Sequence, residues 1–196
     1  MRRAALLVML SLPLLAAQEK QEKKDAAKPA AAPVQKVTVT SVLHRQFGQM
    51  EKQFVGVAEA MPADKFDFAP TNGEFKDVRT FAEQIKHVAS ANFLFAAALT
   101  GEKSPVTMDE AGKGPANIKT REEALKFLKD SFAAAHKALD SVTEANAAEM
   151  VPGPFGGQMA RLYLGNIMTW HSYDHYGQMV VYLRMNGVVP PASRRN

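Results

Sequence analysis

Two of the five histidines in the sequence, His171 and His175, stand four positions apart near the carboxyl end of the chain. In an α-helix, residues four apart lie one turn apart on the same face. The two imidazole rings would therefore be close enough to bind one metal ion together. The spacing is weak evidence alone, because paired core histidines that bind backbone carbonyls can show it too.

A third histidine, His87, lies on a separate helical segment and offers a further ligand. Three neutral imidazoles suit Zn, Ni, Cu or Fe(II), and three protein ligands leave a position open for water or substrate. The zinc-protease motif H-E-x-x-H needs a glutamate after the first histidine. Ser172 stands there instead, which excludes that class. Asp174 either orients a ligand histidine or is simply solvated.

Apolar residues recur at intervals of three and four in four segments, which is the period of an amphipathic helix. Two segments begin with a capping box, Thr80 with Glu83 and Thr120 with Glu123. No segment shows the alternation typical of a strand. The predicted helices cover residues 39–61, 80–100, 120–142 and 159–186.

The connection over residues 101–118 is long and contains two glycines and two prolines within 105–115. A connection of this length favours a crossover between the second and third helices over a simple up-and-down chain. The sequence therefore predicts an all-α four-helix bundle with a long crossover.

The predicted helices place the histidines differently. His171 and His175 fall within the apolar stripe of the fourth helix, and His87 falls on the flank of the stripe of the second. His44 is expected at the surface or rim. His136 is expected at the core boundary with its ring nitrogens satisfied, rather than as a fourth ligand.

Two polar residues, Gln178 and Tyr182, follow His175 on the same helical face. They could orient a ring nitrogen or a bound water, although packing in the core is the simpler role for Tyr182. The sequence identifies no catalytic residue beyond the candidate ligands.

The first 36 residues differ in composition from the rest. Residues 1–17 have two arginines and then an apolar run, the pattern of a secretory signal. The run is shorter than the roughly 20 residues that span a bilayer, so we expect no stable membrane anchor after cleavage. Residues 18–36, rich in Lys, Ala and Pro, are expected to be a disordered tether. The protein is therefore expected to be exported, to the periplasm or the medium.

The remaining chain is long enough for one domain, which we place at residues 37–190, with a flexible tail at 191–196. The formal net charge is +4, and the predicted signal carries two of the positive residues. The other basic residues are scattered along the chain, so nucleic-acid binding has little support. There is no cysteine, so the fold must be held by core packing rather than by disulfides, with a metal ion as one optional addition.

The order of these motifs resembles the DinB-like superfamily, which includes the DinB_2 and YfiT-type groups. The matching residues are His87 within 85–89, His171 and His175 within 171–178, and the stretch 61–70 after the first helix. The resemblance implies a four-helix bundle with a crossover, a nickel or zinc site formed by the three histidines, and often a homodimer. Some members transfer low-molecular-weight thiols, and others isomerise or hydrolyse small molecules.

Three hypotheses follow for function. The first is a metal-dependent transferase or hydrolase that acts on a small-molecule substrate. The second is a non-catalytic metal-binding bundle with a stress-related or interaction role. The third keeps the histidines as core residues and needs no metal. Thiol transfer is the less favoured reaction, because cytoplasmic thiol cofactors would be scarce outside the cell.

Overall fold

The structure is a computed structural model that describes residues 36–109 and 112–195. The predicted signal at 1–17, nearly all of the predicted tether at 18–36 and the last residue lie outside this part. Four α-helices account for most of it, which confirms the predicted four-helix bundle. The helices are α1 (Val39–Ala60), α2 (Phe81–Thr100), α3 (Arg121–Leu139) and α4 (Arg161–Met185).

Capping boxes fix the starts of three helices. Thr80 and Glu83 cap α2, and Thr120 and Glu123 cap α3, as the sequence predicts. Thr38 caps α1 in the same reciprocal way, but its partner three residues on is a serine rather than the usual glutamate or glutamine. Gly101, in the left-handed conformation with φ 73°, ends α2.

Each helix packs mainly against two others. The helix α2 contacts α3 and α4, and α1 contacts the same two helices. Phenylalanines fill much of the space between them, and the Phe47 ring lies 5.1 Å from that of Phe132. Within the described residues, no helix is long and apolar enough to span a membrane.

The connection between α2 and α3 runs back along α2. Phe93 packs on Phe127 and Asn92 bonds Ser131, while Thr100 and Ala138 line one cleft, so the two helices point in the same direction. From the end of α2 the described part of the connection returns to a point beside its second turn, where Lys86 Nζ donates to the Pro115 carbonyl at 3.4 Å. This route brings the connection against the helix face that carries His87.

The expectation that no segment forms a strand is wrong for the connection between α3 and α4. Two three-residue strands, β1 (Met150–Pro152) and β2 (Gln158–Ala160), pair antiparallel with Val151 opposite Met159. Strands this short are set by backbone pairing around the Gly-rich turn and show no readable alternation. Because β2 uses Gln158–Ala160, the helix α4 begins at Arg161 rather than at residue 159.

Candidate metal centre

The three predicted ligands lie together between α2 and α4. These helices run antiparallel, so the first half of α2 faces the part of α4 that carries the histidine pair. His171 Nε2 lies 3.2 Å from His87 Nε2 and 3.2 Å from His175 Nε2. One ligand atom from each histidine lies within 4.8 Å of the others. His175 is only 5% exposed, and the other two rings are half-buried.

Acceptors on the far sides of two rings determine which nitrogens face inward. His87 Nδ1 lies 2.6 Å from the Gly112 carbonyl oxygen, and His175 Nδ1 lies 2.6 Å from Gln84 Oε1. Both oxygens only accept hydrogen bonds, so each Nδ1 must carry its hydrogen. A neutral imidazole has one such hydrogen, and both Nε2 atoms therefore present lone pairs to the centre.

This arrangement fits a divalent cation. A neutral His171 with its hydrogen on Nε2 could donate fully to only one neighbour, whereas a cation accepts a lone pair from all three rings. Two nitrogens about 2.0–2.1 Å from a tetrahedral ion lie roughly 3.3 Å apart, close to the 3.2 Å found here. Among the described residues, the buried His171 Nδ1 has no hydrogen-bond partner, so His171 is the ligand that this part of the chain orients least.

Burial keeps the three rings neutral. It lowers the pKa of His171 to about 4, with further contributions from His87 and Arg79. It lowers the pKa of His175 to about 3, with further contributions from His171 and His87. The pKa of His87 is also lowered, first by burial and then by Arg79. Neutral imidazole is the form that binds metals, so the site is ready to bind at neutral pH.

We expect the metal-free protein to lose stability as the pH falls from 7 to 5. An unfolded histidine takes up a proton near pH 6.5, whereas His171 and His175 do so only near pH 4 and 3. The unfolded state then binds more protons, so the free energy of unfolding falls, by on the order of 1 kcal/mol per pH unit. Urea unfolding at several pH values measures this slope. A His171→Ala/His175→Ala variant should show a shallower slope, and equal slopes would contradict the lowered pKa values.

The remaining two histidines form a separate group between α1 and α3. His44 Nδ1 lies 2.8 Å from His136 Nδ1, and their Nε2 atoms lie 2.8 Å from Asp140 and 3.1 Å from Glu51. The side chains are 31% and 27% exposed. His44 is thus a rim residue and His136 a satisfied boundary residue, as predicted, and neither belongs to the triad.

Two residues that orient the triad were missed by the sequence reasoning. Gln84 is 2% exposed and bonds His175 directly. Its signal was a glutamine on the apolar stripe of α2, three residues before His87. Gly112, which accepts from His87, lies on the connection, and nothing in the sequence indicates its position.

The sequence also singled out three polar residues around the triad: Gln178, Asp174 and Tyr182. Gln178 reaches His175 through Gln84 rather than by direct contact, since Gln84 Nε2 donates to Gln178 Oε1 at 2.8 Å. The exposed Asp174 carboxylate accepts a hydrogen bond from Gln178 Nε2 at 3.2 Å. Asp174 is therefore connected to the site through Gln178. Tyr182 is buried in the core, donates to the Arg79 carbonyl and accepts a hydrogen bond from the Gln84 side chain, so it helps to orient Gln84 as well as packing in the core.

The helical bundle and its three convergent histidines define a class of protein, and comparison with known sequences identifies the family. The sequence profile described as the DinB superfamily matches residues 46–179. The chain therefore belongs to the DinB superfamily, as its motifs indicate. No curated protein has a matching sequence.

Solved structures show the same fold. A DinB-like protein from Bacillus cereus ATCC 10987 superposes with a TM-score of 0.61 at 16% identity, over 79% of this chain and 96% of its own. A mycothiol-dependent maleylpyruvate isomerase superposes with a TM-score of 0.53 at 15% identity, over 74% of this chain. The match spans 63% of the isomerase, so that protein is substantially longer than the shared bundle. At these identities the likeness concerns the fold alone.

Proposed function

We propose that the protein binds one divalent metal ion, zinc or nickel, through His87, His171 and His175, and acts as a metal-dependent transferase or hydrolase on a small molecule. One observation carries the proposal: three Nε2 atoms converge, and the Nδ1 hydrogens of two rings are held by oxygen acceptors. Histidines that serve only as core residues would instead use their Nε2 atoms to hydrogen-bond other parts of the protein.

Each part of the chain has a defined task in this proposal. The three imidazoles hold the ion, while the Gly112 carbonyl and Gln84 fix the orientation of two of them. An ion held by three neutral ligands supplies a Lewis acid with room for an external ligand. The Phe95 ring, whose centroid lies 6.0 Å from that of His171, gives the site an apolar wall that limits the access of water.

The substrate class is less well defined than the set of three metal ligands. The isomerase with the same fold is described as mycothiol-dependent, so thiol chemistry is one reaction to test. We further propose that the protein is exported, on the basis of residues 1–17, and an exported enzyme would meet few cytoplasmic thiols. This favours hydrolysis, or transfer to another acceptor.

The alternative is a metal-binding bundle without catalysis, and one feature favours it. The carboxylate connected to the triad, Asp174, reaches it only through Gln178 and Gln84. A general acid or base must lie within hydrogen-bond reach of the reacting group. Asp174 does not meet that condition, so it cannot act as the general acid or base at the triad.

Elemental analysis of the protein purified without a histidine tag tests the metal proposal. We expect about one equivalent of zinc or nickel, and well under one equivalent after metal has been supplied would contradict the proposal. Metal-loaded protein is then assayed with a panel of thiol-transfer and ester substrates. Turnover that disappears on chelation supports the enzyme, and its absence across the panel supports the non-catalytic alternative.

We also propose that the protein is a homodimer. Large apolar side chains on α4 are exposed, with Trp170 at 50%, Val181 at 52% and Met185 at 47%. Exposed apolar patches of this kind often mark an interface. Light scattering measures the mass directly, and a monomer at micromolar concentration would contradict this proposal.

A further inference from the structure

A chain of side-chain hydrogen bonds connects the triad to the surface of α4. His175 Nδ1 donates to Gln84 Oε1 at 2.6 Å, and Gln84 Nε2 donates to Gln178 Oε1 at 2.8 Å. Gln178 Nε2 in turn donates to Asp174 Oδ2 at 3.2 Å. We call these four residues the amide chain. It begins at a buried ring and ends at an exposed carboxylate.

The Asp174 carboxylate, together with the Tyr182 hydroxyl that accepts from Gln84, fixes the direction of the bonds in the amide chain. An ionised carboxylate only accepts hydrogen bonds, whereas an amide group can turn to offer either its oxygen or its nitrogen. Asp174 therefore requires the nitrogen of Gln178 on its side, which turns the Gln178 oxygen toward Gln84. Gln84 must then offer its own nitrogen to Gln178 and its oxygen to His175.

The direction of the chain decides which nitrogen of His175 holds the hydrogen. An oxygen facing Nδ1 requires the hydrogen there, and Nε2 is left with the lone pair that points at the triad. If the amides turned round, an N–H group would face Nδ1, and the hydrogen would move to Nε2. A protonated Nε2 cannot bind a metal ion.

We propose that Asp174, through Gln178 and Gln84, sets the tautomer of His175 and thereby prepares the triad to bind metal. The inference rests on the proposed metal site, and it assigns Gln84, Gln178 and Asp174 as positioning residues. His87 has no such dependence, because its acceptor is the Gly112 backbone carbonyl, which cannot reverse. The affinity of the site is thus adjustable from an exposed surface position.

Substitutions at Gln178 test this, since the residue is exposed and its replacement should not unfold the protein. Gln178→Glu places an acceptor beside Gln84 Nε2 and preserves the direction of the chain. Gln178→Lys places a donor there and reverses it. Gly177→Glu and Gly177→Lys are matched controls, because they carry the same charges one residue away and a Cβ at Gly177 would meet no atom of the described residues within 4 Å.

Two measurements are made on all five proteins, including the wild type. Nitrogen-15 NMR of the metal-free protein reports the tautomer of His175, and competition with a chromophoric chelator gives the dissociation constant for zinc. We expect Gln178→Lys to move the hydrogen to Nε2 and to weaken zinc binding about 10-fold or more relative to Gly177→Lys. We expect Gln178→Glu to keep the Nδ1 hydrogen and to bind zinc within about threefold of Gly177→Glu, a margin well inside that 10-fold effect.

The outcomes separate this inference from the metal proposal. An unchanged tautomer and equal zinc affinities in Gln178→Lys and Gly177→Lys would overturn the role of the amide chain, whatever the wild type binds. A wild type that binds neither zinc nor nickel would overturn the proposed function, and the tautomer measurement would still decide the role of the chain.

Discussion

Replacing both histidines of α4, in His171→Ala/His175→Ala, is expected to abolish metal binding. The variant leaves His87 as the one ligand of the three, and a single imidazole does not hold zinc or nickel against a chelator. Bound metal should fall from about one equivalent to nearly none. Elemental analysis after purification without a tag and dialysis against a weak chelator measures the difference.

The same variant should also lose the stabilisation that metal gives. A ligand that binds only the folded state stabilises it by about 2.7 kcal/mol at 100 times its dissociation constant. For a domain of this size that corresponds to a rise in Tm of roughly 5–10 °C. Thermal unfolding with and without zinc should show this rise in the wild type and no rise in the variant.

His44→Ala/His136→Ala is the matched control, because it removes the same number of histidines from the separate group between α1 and α3. We expect it to keep one equivalent of metal and the full rise in Tm. Loss of metal in this control as well would show that binding depends on histidine content or on intact folding, and the assignment of the site to α2 and α4 would be wrong.

The sequence predicted the helices and the face on which each histidine lies for a single physical reason. Each helix buries one face, so the apolar spacing shows where it runs and which way a residue such as His171 points. The contact between His87 and the α4 pair does not follow from spacing alone, because it depends on which helices are neighbours. That step came from the resemblance to a family, and the 3.2 Å distances agree with it.

What the sequence did not reveal depends on contacts between distant segments. Gln84 was detectable in principle, since an uncharged amide on the stripe of Phe81, Ile85 and Val88 needs a buried partner. Gly112 was not detectable, because it contacts His87 from 25 positions away through its backbone. A carbonyl belongs to every residue, so no residue type marks the one that will accept from a ligand.

Gly114→Ala is expected to weaken both the fold and the metal centre. Gly114 has φ +77°, and a Cβ there would lie 2.8 Å from the carbonyl carbon and oxygen of Lys86 in α2. Gly101 has nearly the same conformation, φ +73°, but within the part of the chain that the structure describes a Cβ there would meet nothing within 4 Å. Gly101→Ala should therefore cost only the backbone strain of roughly 1–2 kcal/mol, and Gly114→Ala should cost clearly more because the backbone of α2 cannot move aside.

The clash in Gly114→Ala should also weaken metal binding, because it lies close to the group that orients His87. Gly112, two residues before Gly114, accepts from His87 Nδ1, so a connection pushed away from α2 withdraws that acceptor. We expect zinc affinity to fall about 10-fold or more in Gly114→Ala and to stay unchanged in Gly101→Ala. Urea unfolding of the metal-free proteins and chelator competition measure the two effects. Equal zinc affinities in the two variants would mean that His87 keeps its orientation without the connection, and that the packing of α2 against α4 alone positions the ligand.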